Sequence, residues 1–139
     1  MEISVIRKRV TETIERAKRG AAERRARADE AGRAYDRFLD TIAVPLFRQV
    51  ANVLRADGYL FTLFTPSGSV RLSSDRHAED FIEVILETTG AGPQVIGHVS
   101  RSRGRRVDEI NRELGDPAAI DEEDLLDFVL KALEPFVER

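Results

Sequence analysis

The chain has 139 residues, of which 42% are hydrophobic and 34% charged, and its formal net charge is −3. That is one domain's worth of chain, able to bury about two-thirds of its extended surface and too aliphatic for dominant disorder. The absence of cysteine excludes disulfide scaffolds, thiol chemistry and cysteine-ligated zinc or iron–sulfur centres.

No apolar run approaches the ~20 residues of a membrane span, and no signal-peptide core is legible at the N-terminus, so a soluble, cytoplasmic protein is expected. Of the 22 basic residues, 19 are arginine. With abundant alanine, this is how a GC-rich bacterial genome writes ordinary proteins, and arginine counts lose weight accordingly. Their distribution says more. Residues 1–40 hold 11 basic and 8 acidic side chains, a net +3, whereas residues 41–139 hold 11 and 17, a net −6.

From Ile3 to Leu54 the dominant period is helical. Ile3, Ile6, Val10, Ile14, Ala17, Ala21, Ala28, Ala31, Tyr35, Phe38, Ile42, Leu46, Val50 and Val53 fall on one stripe, as an amphipathic helix or a coiled-coil seam requires. The stripe is thin between Glu15 and Ala34, where only alanine and glycine interrupt the charges and Arg24 lies on the stripe itself. Four acid-before-base pairs at i,i+4 (Glu12–Arg16, Glu15–Arg19, Glu23–Arg27, Asp29–Arg33) would each add about 0.2–0.5 kcal/mol of helix stability. Gly20 and Gly32 are candidate kinks, and Pro45 removes a backbone donor. The reading is a first helix from about Ser4 to Ile42, a kink or short break near Pro45, and a second helix to about Arg55 stopped by Asp57-Gly58.

Length makes this helix informative. Thirty-nine helical residues span about 58 Å, while the rest of the chain would be a globule about 25–30 Å across. The distal residues Ile3, Ile6, Val10 and Ile14 therefore lack an intramolecular cover. Either the helix turns back near Gly20, another chain covers the stripe, or the first turns fray.

After Gly58 the period becomes two. Tyr59–Thr65 reads as a central strand covered on both faces, followed by a Pro66-Ser67-Gly68 turn and a strand over Ser69–Ser73. Asp80–Thr88 places Ile82, Val84 and Leu86 on one face, and Gly90-Ala91-Gly92-Pro93 turns the chain into a strand over Gln94–Arg101. Residues 105–114 suit either a last strand or a short helix. At the C-terminus Asp121 is an N-cap with Glu122, Glu123 and Asp124 in the first turn, opening a helix with a broad apolar face. The expected fold is α+β. A long N-terminal helical region (1–57), kinked near Pro45, precedes a four- or five-stranded antiparallel sheet closed by a C-terminal helix packed on it (58–139).

Chemical signals are sparse. Asp75-Arg76-His77-Ala78-Glu79-Asp80 sets an imidazole beside three carboxylates, which suits a metal site or an acid–base pair and equally suits a polar connection. His98 falls mid-strand, opposite the Val95/Val99 face, as a satisfied sheet residue. None of the common zinc, hydrolase, dinucleotide or nucleotide motifs occurs, so no catalytic residue, metal ligand or cofactor is assigned. The best positive feature is Ser100–Arg106, with Arg101, Arg103, Arg105 and Arg106 at a hairpin tip able to grip phosphates. No aromatic residue interleaves with it, which argues against single-strand stacking.

Two functional expectations result. The first is a non-enzymatic interaction protein that pairs with a second copy of itself through Ile3, Ile6, Val10 and Ile14, with the sheet–helix bodies at one end. The second is a nucleic-acid or polyanion-binding module that uses the arginine hairpin and the basic N-terminal helix.

Overall fold

The computed structural model describes residues 1–90 and 92–138. It opens with helix α1 (Ile3–Phe38), which runs through a five-residue π-helical stretch, Leu39–Ala43, into helix α2 (Val44–Ala56). These stretches of 36, 5 and 13 residues join into one rod about 80 Å long at 1.5 Å per residue. The helix does not break at Gly20 or Gly32.

The irregularity expected near Pro45 is the π-helical stretch. Pro45 has no N–H to offer the carbonyl of Thr41, one turn earlier. The chain widens by one residue, so that the Val44 N–H bonds the Leu39 carbonyl five positions back. The Thr41 hydroxyl meanwhile donates to the Arg37 carbonyl at 2.7 Å. A widened turn lets the helix pass the proline without ending. The helix stops where expected: Gly58 adopts φ +89°, and the N–H groups of Gly58 and Tyr59 return to the carbonyls of Arg55 and Leu54. That double bond is a Schellman cap, which needs the left-handed conformation glycine adopts without strain.

Five strands follow: β1 (Phe61–Phe64), β2 (Val70–Ser74), β3 (Phe81–Glu87), β4 (Gln94–Arg103) and β5 (Arg106–Gly115). They form a sheet in simple sequence order with every pair antiparallel. β1 differs from expectation, being a four-residue edge strand paired only with β2 rather than a central one. Its aromatic residues suited a doubly covered strand, but Phe64 is exposed. The ambiguity over residues 105–114 resolves as strand β5, since β4 supplies a pairing edge along its whole length. The turn expected at Gly90–Pro93 includes Ala91, which lies outside the described residues.

One sheet face carries Phe61, Val70, Leu72, Ile82, Val84 and Val95 into the core, where they meet Phe38, Leu46, Phe47 and Leu54 from the long helix. Helix α3 (Glu122–Val137) closes the rest with Leu125, Phe128, Val129, Leu133 and Phe136. Its Asp121 cap forms as a full capping box: the Asp121 carboxylate accepts from the Asp124 N–H, and the Asp124 carboxylate accepts from the Asp121 N–H.

The first buried residue of the chain is Ala34, followed by Tyr35 and Phe38. Every residue from Met1 to Arg19 is exposed. The last turn of α1, all of α2, the sheet and α3 share one core. Residues 3–33 leave it as a free helical arm about 46 Å long.

Candidate functional site

The first candidate surface is the arm. Ile3, Ile6, Val10 and Ile14 are 75, 47, 52 and 48% exposed, so the arm is not folded back over its own stripe. From Val10 the stripe steps by four and three: Ile14, Ala17, Ala21, Arg24, Ala28, Ala31, Tyr35, Phe38, Ile42. A repeat of 3.5 residues is the period that a left-handed two-helix supercoil keeps in contact. At its proximal end this same face supplies Tyr35 and Phe38 to the core. At its distal end none of the other described residues covers it.

None of the four expected i,i+4 ion pairs closes among the described residues, where all salt bridges lie in the body. Arg16 instead reaches the Thr13 hydroxyl at 3.4 Å. Pairs of this kind, fully exposed, gain little and cost side-chain entropy. Alanine and arginine sustain the helix by propensity alone, and the arm's charges stay available to a partner.

The second candidate surface is the β4–β5 hairpin. Its two-residue turn has Gly104 at φ +62° in the first central position, as a type II′ turn requires. Arg103 and Arg106 stand directly opposite one another across the ladder. Arg103 has a partner in Asp108 at 3.5 Å. Arg101, Arg105 and Arg106 have no ion-pair partner among the described residues.

Folding brings a fifth basic group to these four arginines. His77 lies on the β2–β3 connection, and together they line a cleft of about 760 Å³. The carboxylates of Glu79 and Glu138 also border it. The strut between the two walls is Asp80, 1% exposed, whose carboxylate accepts from the Ser102 N–H at 2.7 Å and the Ser102 hydroxyl at 2.9 Å. Backbone bonds from Asp80 N–H to the His77 carbonyl and from Ser74 N–H to the Asp80 carbonyl hold the connecting loop in shape.

The three carboxylates near His77 in sequence are thus dispersed. Asp75 bonds the Thr62 hydroxyl and lies 3.5 Å from Arg55. Asp80 is committed to Ser102, and Glu79 borders the cleft. No group of three or more His, Asp or Glu side chains among the described residues could hold a metal ion.

His98 faces away from the core, in one cross-sheet row with Phe64, Arg71, Glu83 and Asn111. Arg71 donates from Nε to Glu83 Oε2 at 2.9 Å, and its Nη2 lies 2.9 Å from the same oxygen in an ion pair. His98 stands 3.7 Å from Glu83 Oε1 on one side and 3.7 Å from Glu109 Oε1 on the other. Phe81 covers this row, with Arg71 3.9 Å above its ring and His98 against its edge. Sequence reasoning missed both this row and the role of Asp80, because each depends on strand register.

No helix among the described residues is long and apolar enough to cross a membrane. The chain matches no protein-family model, and comparisons with curated proteins and with solved structures find no match.

Proposed function

We propose that the chain is a non-enzymatic interaction protein that forms a homodimer through its N-terminal arm. One observation carries this reading: the helix face that is core at Tyr35 and Phe38 continues, uncovered, to Ile3. Fully burying a Val or Ile side chain is worth about 1.5–3 kcal/mol. An arm about 46 Å long and ~10 Å wide offers about 900 Å² over two chains, near the ~1,000 Å² at which a specific interface begins.

A second copy suits the seam better than an unrelated helix, because the seam is complementary to itself. Its distal residues are large and its middle residues small. An antiparallel pairing centred near Arg19 sets Val10 against Ala28, Ile14 against Arg24 and Ile6 against Gly32. The parallel alternative, with both bodies at one end, stacks Arg24 on its own copy inside the seam, a like-charge contact. Antiparallel packing also brings Arg7–Arg9 level with Asp29 and Glu30 of the partner.

Sedimentation velocity over a concentration series tests the reading. The full chain is expected to sediment as a dimer, and Val10→Glu with Ile14→Glu as a folded monomer. A wild-type chain that stays monomeric at high micromolar concentration overturns it.

A further inference from the structure

We infer that the cleft between the β4–β5 hairpin and the β2–β3 connection binds a compact phosphate-bearing anion, a phosphate monoester or diphosphate group. This is independent of the dimer.

Three observations carry it. Four arginines and a histidine from two separate segments of chain line one concavity of about 760 Å³. Arg101, Arg105 and Arg106 enter it without an ion-pair partner among the described residues, and Arg103 and Arg106 oppose each other directly in the ladder. Like charges opposite one another destabilise a hairpin, and a dianion placed between them removes that repulsion. Finally, the concavity is braced: the buried Asp80 carboxylate ties the His77 loop to Ser102 beside the hairpin's tip.

The planar, forked guanidinium matches the geometry of phosphoryl oxygens. The cleft therefore offers several charge-assisted donors around one centre rather than a row along a track. Compactness decides the class of ligand. A nucleic-acid duplex is gripped by a basic stripe spaced along its phosphates, whereas here the basic groups gather at one hairpin tip. Glu79 and Glu138 border the same cleft, and carboxylates repel a second and third phosphate of a continuous backbone. They would instead accept from hydroxyl or amino groups on the remainder of a small ligand. Among the described residues no Phe, Tyr or Trp lines the cleft, so it offers no broad stacking platform for a series of bases.

The experiment is calorimetric titration of the full chain with pyrophosphate, with orthophosphate and with a short DNA duplex, in dilute neutral buffer. Pyrophosphate is expected to bind saturably at one site per chain, more tightly than orthophosphate. Arg105→Gln and Arg106→Gln should each weaken it about tenfold, with circular dichroism unchanged. His77→Gln, on the opposite wall, should weaken it as well. Absence of saturable pyrophosphate binding overturns the proposal, as does indifference to His77→Gln, which would reduce the cleft to an arginine tip. Duplex binding tighter than pyrophosphate binding, and lost on neutralising Arg16 and Arg19 of the arm, also overturns it in favour of a nucleic-acid interface.

Discussion

The ring of Phe128 on α3 occupies the space in which a side chain at Gly97 of β4 would lie. A Cβ built on Gly97 falls 2.3 Å from Phe128 Cζ and 2.6 Å from Cε1. Gly97 is thus the seat of α3 on the sheet. Gly97→Ala must displace a buried aromatic ring or the helix that bears it, at a cost of about 1–3 kcal/mol. Denaturant unfolding reads this directly. A variant as stable as wild type would mean that the seat is loose.

Tyr35 joins the long helix to the sheet: its hydroxyl lies 2.7 Å from the Gly68 carbonyl and 3.2 Å from that of Val84. Burial, reinforced by the negative charges of Glu83 and Asp36, pushes the phenol well above its ordinary pKa. The folded state therefore favours the neutral phenol. Below about pH 10, the unfolded value, this contribution is fully present. As pH rises further the unfolded chain ionises first, and stability falls until the folded phenol itself titrates. Tyr35→Phe should cost about 1–2 kcal/mol at neutral pH and should flatten the alkaline decline measured by thermal unfolding. An unaltered decline would place its origin elsewhere.

Glu83 is buried between Arg71 and His98 on the sheet's other face. Glu83→Ala leaves the Arg71 guanidinium without its carboxylate and should destabilise by about 1.5–3 kcal/mol. Glu109, largely exposed on the far side of His98, should matter by no more than about 1 kcal/mol when replaced by Ala. Equal effects at the two positions would contradict the row as described.

Arg24 is the charged member of the seam's otherwise small-residue middle. Arg24→Leu is expected to tighten self-association and to raise the concentration dependence of the melting temperature. With no native cysteine, Ser4→Cys accepts a single spin label. The proposed antiparallel register separates the two labels in a dimer by about 45 Å, against roughly 15 Å for a parallel pair. A short distance would reverse the orientation. Unchanged self-association on Arg24→Leu would remove the seam from the interface.

Asp121→Ala removes the half of the capping box in which the Asp121 carboxylate accepts from the Asp124 N–H and should cost about 1 kcal/mol. The loss should appear as earlier melting of α3 by amide exchange, with the arm unaffected. Uniform protection across α3 in the variant would show that packing rather than capping holds its first turn.

These residues also mark what was legible in the chain itself. The Asp121 cap, the Gly58 stop, the helical stripe and the alternation of Ile82, Val84 and Leu86 are local, and each appears where the residue pattern puts it. Arithmetic showed that the distal stripe lacked a cover in a straight rod but left a turn back near Gly20 open, which the exposure of Ile3, Ile6, Val10 and Ile14 excludes. Pro45 was legible as a disturbance, though its form was not. Whether the chain breaks or widens depends on the packing of Phe38, Ala43 and Phe47, buried on either side of the proline.

What the chain alone did not reveal are relationships between residues far apart along it. The edge position of β1 is a fact about strand order, and its aromatic composition is compatible with either an edge or a centre. The same holds for β5, whose residues suit helix or strand until β4 offers an edge. Asp80 meets Ser102, His77 joins four arginines, and Arg71, Glu83 and His98 align only once register is set, because a shift of one residue would send every side chain to the opposite face. Local pattern determined the long helix, the capped C-terminal helix and most of the strands. Tertiary pairing decided which charges would share a cleft and which would neutralise one another, since charges interact through space and register alone fixes those distances.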